Sequence, residues 1–186
     1  MKRTSIYAIP LLLIGIAAAV AATHLPDKPV IVARQSSMKE MAAAARQIAG
    51  MFGGKIAYDA PAFRQAAETI HRRTGVLAAE FPADSLGSPS AAKQEIDQSR
   101  DEFDALASHI ATLASALAVE ADKAPADSIS SAMRMGPDMA MGGSLLGKRA
   151  GAAKEADPSK LPAEHLLHLI LQDCTSCHAK FRAKVQ

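Results

Sequence analysis

The 186 residues fit one domain, with the mature chain shorter still. Twenty-one basic against 19 acidic residues give a formal net charge of +2, and Lys2 and Arg3 leave with a cleaved leader, so the mature surface is near neutral and offers no electrostatic case for nucleic-acid binding. Abundant alanine, no tryptophan and only 4% aromatic residues favour helices over sheet, and the chain carries no internal repeat and no glycine-rich phosphate loop.

Lys2 and Arg3 precede an uncharged run from Ile6 to Ala22, and Ala19-Val20-Ala21 has the small-x-small form of a signal peptidase site. Residues 1–22 therefore read as an export signal, with 23–186 as the mature domain. An uncleaved anchor is the competing reading. The chain would meet a membrane only if that segment stayed uncleaved, and the run, with Pro10 inside it, lies at the short end of what spans one. Pro26 and Pro29 introduce a first helix from about Ile31 to Phe52, closed by Gly53-Gly54, with Met38, Met41, Ala45, Ile48 and Phe52 at helical spacing along one face. A second, from about Pro61 to Ala79, has Asp59 or Ala60 as cap and a stripe of Phe63, Ala67, Ile70, Thr74 and Leu77. The short loop from Gly54 to Ala60 makes the two helices an antiparallel hairpin, and Phe81-Pro82 ends the second.

A third helix is expected from near Ser90 to near Lys123, with Ile96, Phe103, Leu106, Ile110, Leu113 and Leu117 as its buried seam. The stretch from about 124 to 159 is long for a bundle connection. Met133, Met135, Met139 and Met141 lie in it among glycines and Pro137; copper binding is a weak reading without histidine or cysteine, so it reads as a mobile insertion. A fourth helix starts around Pro162 and carries Leu167, Ile170, Leu171, Cys174, Cys177, His178 and Phe181 on one stripe. The expected fold is all-α, a four-helix antiparallel bundle.

Cys174-Thr175-Ser176-Cys177-His178 holds the only two cysteines. Two thiols able to add to the vinyl groups of a haem, followed at once by an imidazole for the iron, read as covalent c-type haem attachment. A redox C-x-x-C, a structural disulfide and half of a zinc site are the competing readings. On the other side of the iron Met38 is best placed, because the start of the first helix lies beside the end of the last in an antiparallel pair. His24 falls in the terminus, His71, His109, His165 and His168 read as surface or partly buried histidines, and Met41 and Met51 as core. Glu68, Glu80, Asp101, Glu102 and Asp104 read as solvated helix faces, and no nucleophile-base set appears, so the chain is not expected to be an enzyme.

The chain resembles the class II c-type cytochromes, the cytochrome c′ and cytochrome c-556 family. The matching segments are Arg34-Gln35-Ser36-Ser37-Met38, Gly53-Gly54-Lys55, Tyr58-Asp59-Ala60, Phe81-Pro82, Lys93-Gln94-Glu95-Ile96 and the motif at 174–182. The resemblance implies a left-handed four-helix bundle with one haem c, joined through Cys174 and Cys177, with His178 as fifth ligand and Met38 at the distal position. It implies Arg34 at a haem propionate and Arg182 near the proximal histidine. Asp97 stands where cytochromes c′ often have tryptophan, and the methionine- and glycine-rich insertion is atypical, a candidate shield for the haem edge or a partner surface. The resemblance also implies a periplasmic location, redox protein partners, and homodimers through the first two helices. Two functions follow from the distal residue: an electron carrier if Met38 binds the iron, the expectation favoured here, or a five-coordinate protein binding nitric oxide or carbon monoxide if it does not.

Overall fold

The computed structural model describes residues 28–136 and 157–184. The expected leader at 1–22, His24, Met139 and Met141 lie outside them. Six α-helices occur in this part: α1 (Pro29–Phe52), α2 (Ala60–Gly75), α3 (Leu77–Glu80), α4 (Glu95–Gln98), α5 (Arg100–Ala121) and α6 (Ala163–Phe181). The four long ones run alternately up and down, with α2 packed on α1, α5 on α2 and α6 on α5. The expected all-α four-helix bundle is what the chain forms, and among the described residues the only β pairing is one isolated bridge.

Local chemistry sets the ends of the first hairpin. Pro29 occupies the first turn of α1, where a missing N–H costs nothing, and Gly53 donates its N–H to Ala49 O at 2.9 Å. Gly54 then takes a φ of +67°, a region that suits glycine. Asp59 caps α2 by accepting from the Ala62 N–H at 2.7 Å. The expected stripe of α2, from Phe63 through Ala67, Ile70 and Thr74 to Leu77, is buried throughout. The second helix nevertheless ends at Gly75, and Leu77–Glu80 forms a separate short helix after the Val76 junction.

The third helix departs further from expectation. It begins at Glu95 rather than Ser90 and is interrupted at Ser99, whose φ of −126° and ψ of 45° are not helical. Residues 87–93 spend their backbone groups elsewhere: Gly87 N–H bonds Ala92 O at 2.7 Å, Lys93 N–H bonds Phe181 O at 2.9 Å, and Ala91 O accepts from Ala183 N–H at 2.8 Å. A long-range pairing with the chain leaving α6 thus replaces the first helical turns. Of the expected seam, Ile96, Phe103, Ile110, Leu113 and Leu117 are buried, while Leu106 is half-buried.

The apolar interior has two parts. One, around Ile48, Phe63, Ile70, Leu113, Leu117 and Leu166, fills the middle and the end where α1 meets α2. The other, around Leu77, Phe81, Ile96, Phe103 and Phe181, fills the end where α6 finishes. Each such side chain contributes roughly 1.5–3 kcal/mol by leaving water. Met133 belongs to the first part and is 1% exposed, so this portion of the expected insertion is core. Arg134 Nη2 bonds Phe52 O at 3.2 Å and Met135 N–H bonds Glu164 Oε2 at 2.9 Å, which fixes residues 133–135 at the end of the bundle remote from His178. The described part of the insertion therefore does not cover the site built below.

Candidate functional site

At the α6 end the bundle is open on one side. α1 and α6 touch each other far less than the other neighbouring long helices do, and between them lies a cavity of about 570 Å3. That volume is in the range of cofactor pockets. α1 contributes Arg34, Met38, Lys39 and Ala42; the end of α6 contributes Cys177, His178, Phe181 and Arg182. Phe81, Ile96 and Phe103 form the apolar floor, and residues 89–92 form a wall. The floor is ordered by ring contacts, with centroids 5.1 Å apart for Phe81–Phe103 and 5.4 Å for Phe103–Phe181.

Five of the six residues singled out from the sequence thus meet at one cavity: Arg34, Met38, Cys177, His178 and Arg182. Cys174 does not line it. One turn earlier on α6, it is half-buried against the main apolar cluster. His178 and Leu171, seven residues apart on one flank of α6, are both accessible; Leu171 is 40% exposed and is not on the buried stripe where the sequence put it. Met38 is half-buried and packs against the apolar cluster of the floor. Met51 is core as expected, Met41 is half-buried beside the floor, and His109 bonds Asp173 through Nδ1 at 2.6 Å.

The two thiols are unbonded to each other. Burial pushes both to about 11, with smaller contributions from Asp173 and, for Cys177, from Cys174. A redox C-x-x-C works through a depressed thiol, and these are raised, so this environment does not suit thiol exchange. Among the described residues no three His, Cys, Asp or Glu side chains gather as a metal site, which leaves the zinc reading without further ligands. His178 is held below the ordinary histidine value, first by burial and then by the charge of Arg182. This favours the neutral imidazole, whose lone pair can serve a metal.

Arg34 gives the most direct test of whether these residues fit a haem. It is 4% exposed, its guanidinium stacks 4.8 Å from the Phe81 centroid, and Nη2 donates to Ser85 O at 2.6 Å. Burial lowers its pKa, and the nearby Glu80 opposes this. Yet Nε and Nη1 are buried with no partner. A buried guanidinium with idle donors at the edge of an apolar cavity suits a ligand that is apolar in body and carboxylated at its rim. Lys39 and Arg182 add two more cations to the lining, which contains no carboxylate. The residues fit a haem with its propionates. Glu80, read from the sequence as a solvated carboxylate, is instead half-buried and accepts from Ser37 Oγ at 2.7 Å. The sequence reading also missed residues 89–92 as a wall, for which Pro89-Ser90 was the available signal, and Ser85 as a partner of Arg34, for which there was none.

Residues 29–136 match the family described as Cytochrome C′. Cytochrome c′ from Rhodopseudomonas palustris is 26% identical, with 86% of this chain and 99% of that one covered and a TM-score of 0.58. Two others support the fold alone: cytochrome c prime from Shewanella frigidimarina (19% identity, 83% and 94% covered, TM-score 0.58) and cytochrome c′ from Thermochromatium tepidum (20%, 85% and 99%, TM-score 0.56). No curated protein sequence matches. The matched span ends before the C-x-x-C-H, whose Cys177 and His178 nonetheless line the same cavity as Arg34 and Met38. The chain belongs to the cytochrome c′ family, the periplasmic, haem-binding, all-α class II c-type cytochromes that act in electron transfer and gas binding.

Proposed function

We propose that this protein binds nitric oxide or carbon monoxide at a single haem c attached through Cys174 and Cys177, with His178 as the only protein ligand to the iron. The observation that carries this reading is the seating of Met38 in the apolar floor opposite α6, half-buried against the cluster of Leu77, Phe81, Ile96 and Phe103. A methionine held against apolar neighbours in this way can serve as an apolar wall of the cavity without binding the iron. Membership of the cytochrome c′ family and the 26% identity to a protein of that name point the same way. When bound, haem c supplies a redox-active iron with one position open to a diatomic gas.

The chain's own groups have defined parts in this reading. In a bound haem, His178 would offer its imidazole nitrogen to the iron and the two unpartnered donors of Arg34 would be available to a propionate. Phe81, Ile96 and Phe103 make this part of the cavity apolar, which would disfavour charged ligands beside a bound haem and admit small neutral ones. Arg182 adds a positive charge on the proximal side. Residues 1–22 serve as the export leader, and the chain has no substrate chemistry of its own. An electron carrier with His178 and Met38 both on the iron is the second reading, favoured by the fact that both side chains line one cavity; redox protein partners and a homodimer through α1 and α2 fit either one.

The test is expression in a haem-attaching host. Mass spectrometry should give one added haem that is lost in the Cys174→Ser/Cys177→Ser chain, and the reduced protein should take up carbon monoxide. A chain without covalent haem overturns the attachment, and a reduced holoprotein indifferent to carbon monoxide overturns the gas-binding reading.

A further inference from the structure

The segment Lys93-Gln94-Glu95-Ile96 stood out in the sequence, and neither the cavity lining nor the haem chemistry accounts for its first residue. α6 ends one turn beyond His178. A helix leaves its last four carbonyls without intrahelical partners, and here they are the carbonyls of residues 178–181, the turn that carries the proximal histidine. Lys93 satisfies two of them. Its backbone N–H bonds Phe181 O at 2.9 Å, and its Nζ bonds Lys180 O at 2.8 Å. His178 O takes the Arg182 N–H at 3.2 Å, and Ala183 N–H returns to Ala91 O at 2.8 Å. Glu95 Oε1, 3.1 Å from Nζ, balances the lysine charge.

A cation against the negative end of a helix is favourable, and the more so when half-buried, as Lys93 is. The same residue closes the loop 87–93, whose residues 89–92 form one wall of the cavity, onto the turn holding His178 and Arg182. Through its backbone N–H and its ammonium group Lys93 thereby helps to hold the wall against the proximal turn, from a point that does not itself line the cavity.

We propose that Lys93 is a positioning residue for the proximal histidine, its ammonium group capping the final turn of α6 and holding His178 in a single orientation. The inference rests on His178 being the iron ligand. The experiment is amide hydrogen exchange on the full-length holoprotein, wild type against Lys93→Met and Lys93→Arg, together with the iron–histidine stretching band of the reduced form. Methionine keeps the stem and the backbone N–H and removes only the charged donor. Losing one charged hydrogen bond should speed exchange at the Arg182 and Ala183 amides by roughly tenfold, leave the Ile170 amide unchanged, and shift or broaden the iron–histidine band. Lys93→Arg should restore both. Unchanged exchange at Arg182 and Ala183 in Lys93→Met overturns the proposal, as does altered exchange with an unmoved iron–histidine band. If the reduced wild type proves six-coordinate, the five-coordinate reading fails by itself; the proposal is then judged on the same exchange and on the electron paramagnetic resonance line shape of the low-spin ferric form, which must broaden in Lys93→Met.

Discussion

Arg34→Met isolates the claim that a buried guanidinium is kept for a carboxylate of the cofactor. In the holoprotein the substitution removes the 2.6 Å bond from Nη2 to Ser85 O, a charged hydrogen bond of about 1.5–3 kcal/mol. It also removes the stacking on Phe81 at 4.8 Å, about 1–2 kcal/mol for a desolvated pair. Against this, the chain no longer has to desolvate a guanidinium whose Nε and Nη1 find no protein partner, a cost of several kcal/mol. Methionine refills the stem, so in a haem-free Cys174→Ser/Cys177→Ser background the terms nearly cancel, and the expected change is within about 1 kcal/mol of zero. In the holoprotein the idle donors gain a propionate, so the same substitution should cost about 2–3 kcal/mol. Urea unfolding followed by helical circular dichroism gives both numbers, with an unchanged denaturant slope as the condition for comparing them. A holoprotein loss no larger than the haem-free loss refutes the reasoning, because Arg34 would then be serving Ser85 and Phe81 alone.

Tyr58 has a buried hydroxyl without a partner and packs on Phe63 at a centroid distance of 5.7 Å. Tyr58→Phe should therefore stabilise the fold by about 1 kcal/mol at pH 7, measured as a higher urea midpoint. Burial, and secondarily Asp59, raises the Tyr58 pKa above its usual value, so the folded chain keeps a proton that the unfolded chain gives up. The wild type must therefore lose stability as the pH rises from the ordinary tyrosine value through the folded one, and its deficit relative to Tyr58→Phe should widen over that window. Met133→Ala opens a cavity at a site 1% exposed and should cost about 2–5 kcal/mol in thermal or urea unfolding, while leaving the haem spectrum unchanged because Met133 packs at the remote end of the bundle.

Much of the bundle was legible because amphipathic spacing is a local property. Every residue of the expected α2 stripe is buried, Asp59 caps where its side chain predicts, and Gly54 turns where a positive φ is needed. The failures come from contacts distant in sequence. Residues 90–94 have helical composition, yet the backbone groups of Ala91 and Lys93 pair with Ala183 and Phe181 at the end of α6, some ninety residues away. Leu171 fits an apolar stripe, but α6 turns that flank toward a side where no helix packs closely. Met133 reads in the sequence as part of a mobile, methionine- and glycine-rich insertion and is core, with Arg134 and Met135 tied to Phe52 and Glu164. At the site, the sequence motifs identified residues that do converge, since an antiparallel bundle brings the start of α1 beside the end of α6. The contacts that shape the convergence, Arg34 on Ser85 and Lys93 on the α6 terminus, join segments about 50 and 90 residues apart and leave no periodic trace. Met38 illustrates the remaining gap: its presence opposite His178 followed from helix direction, whereas its seating in the apolar floor depends on Phe81 and Phe103 from two other parts of the chain.

Whether His178 is the only protein ligand to the iron is read most directly from the spin state of the purified ferric and ferrous holoprotein beside Met38→Leu. High-spin iron is expected in both oxidation states, with Met38→Leu giving the same spin states because leucine fills the same apolar wall. A low-spin wild type that becomes high-spin in Met38→Leu would contradict it and establish the His178–Met38 electron carrier in its place.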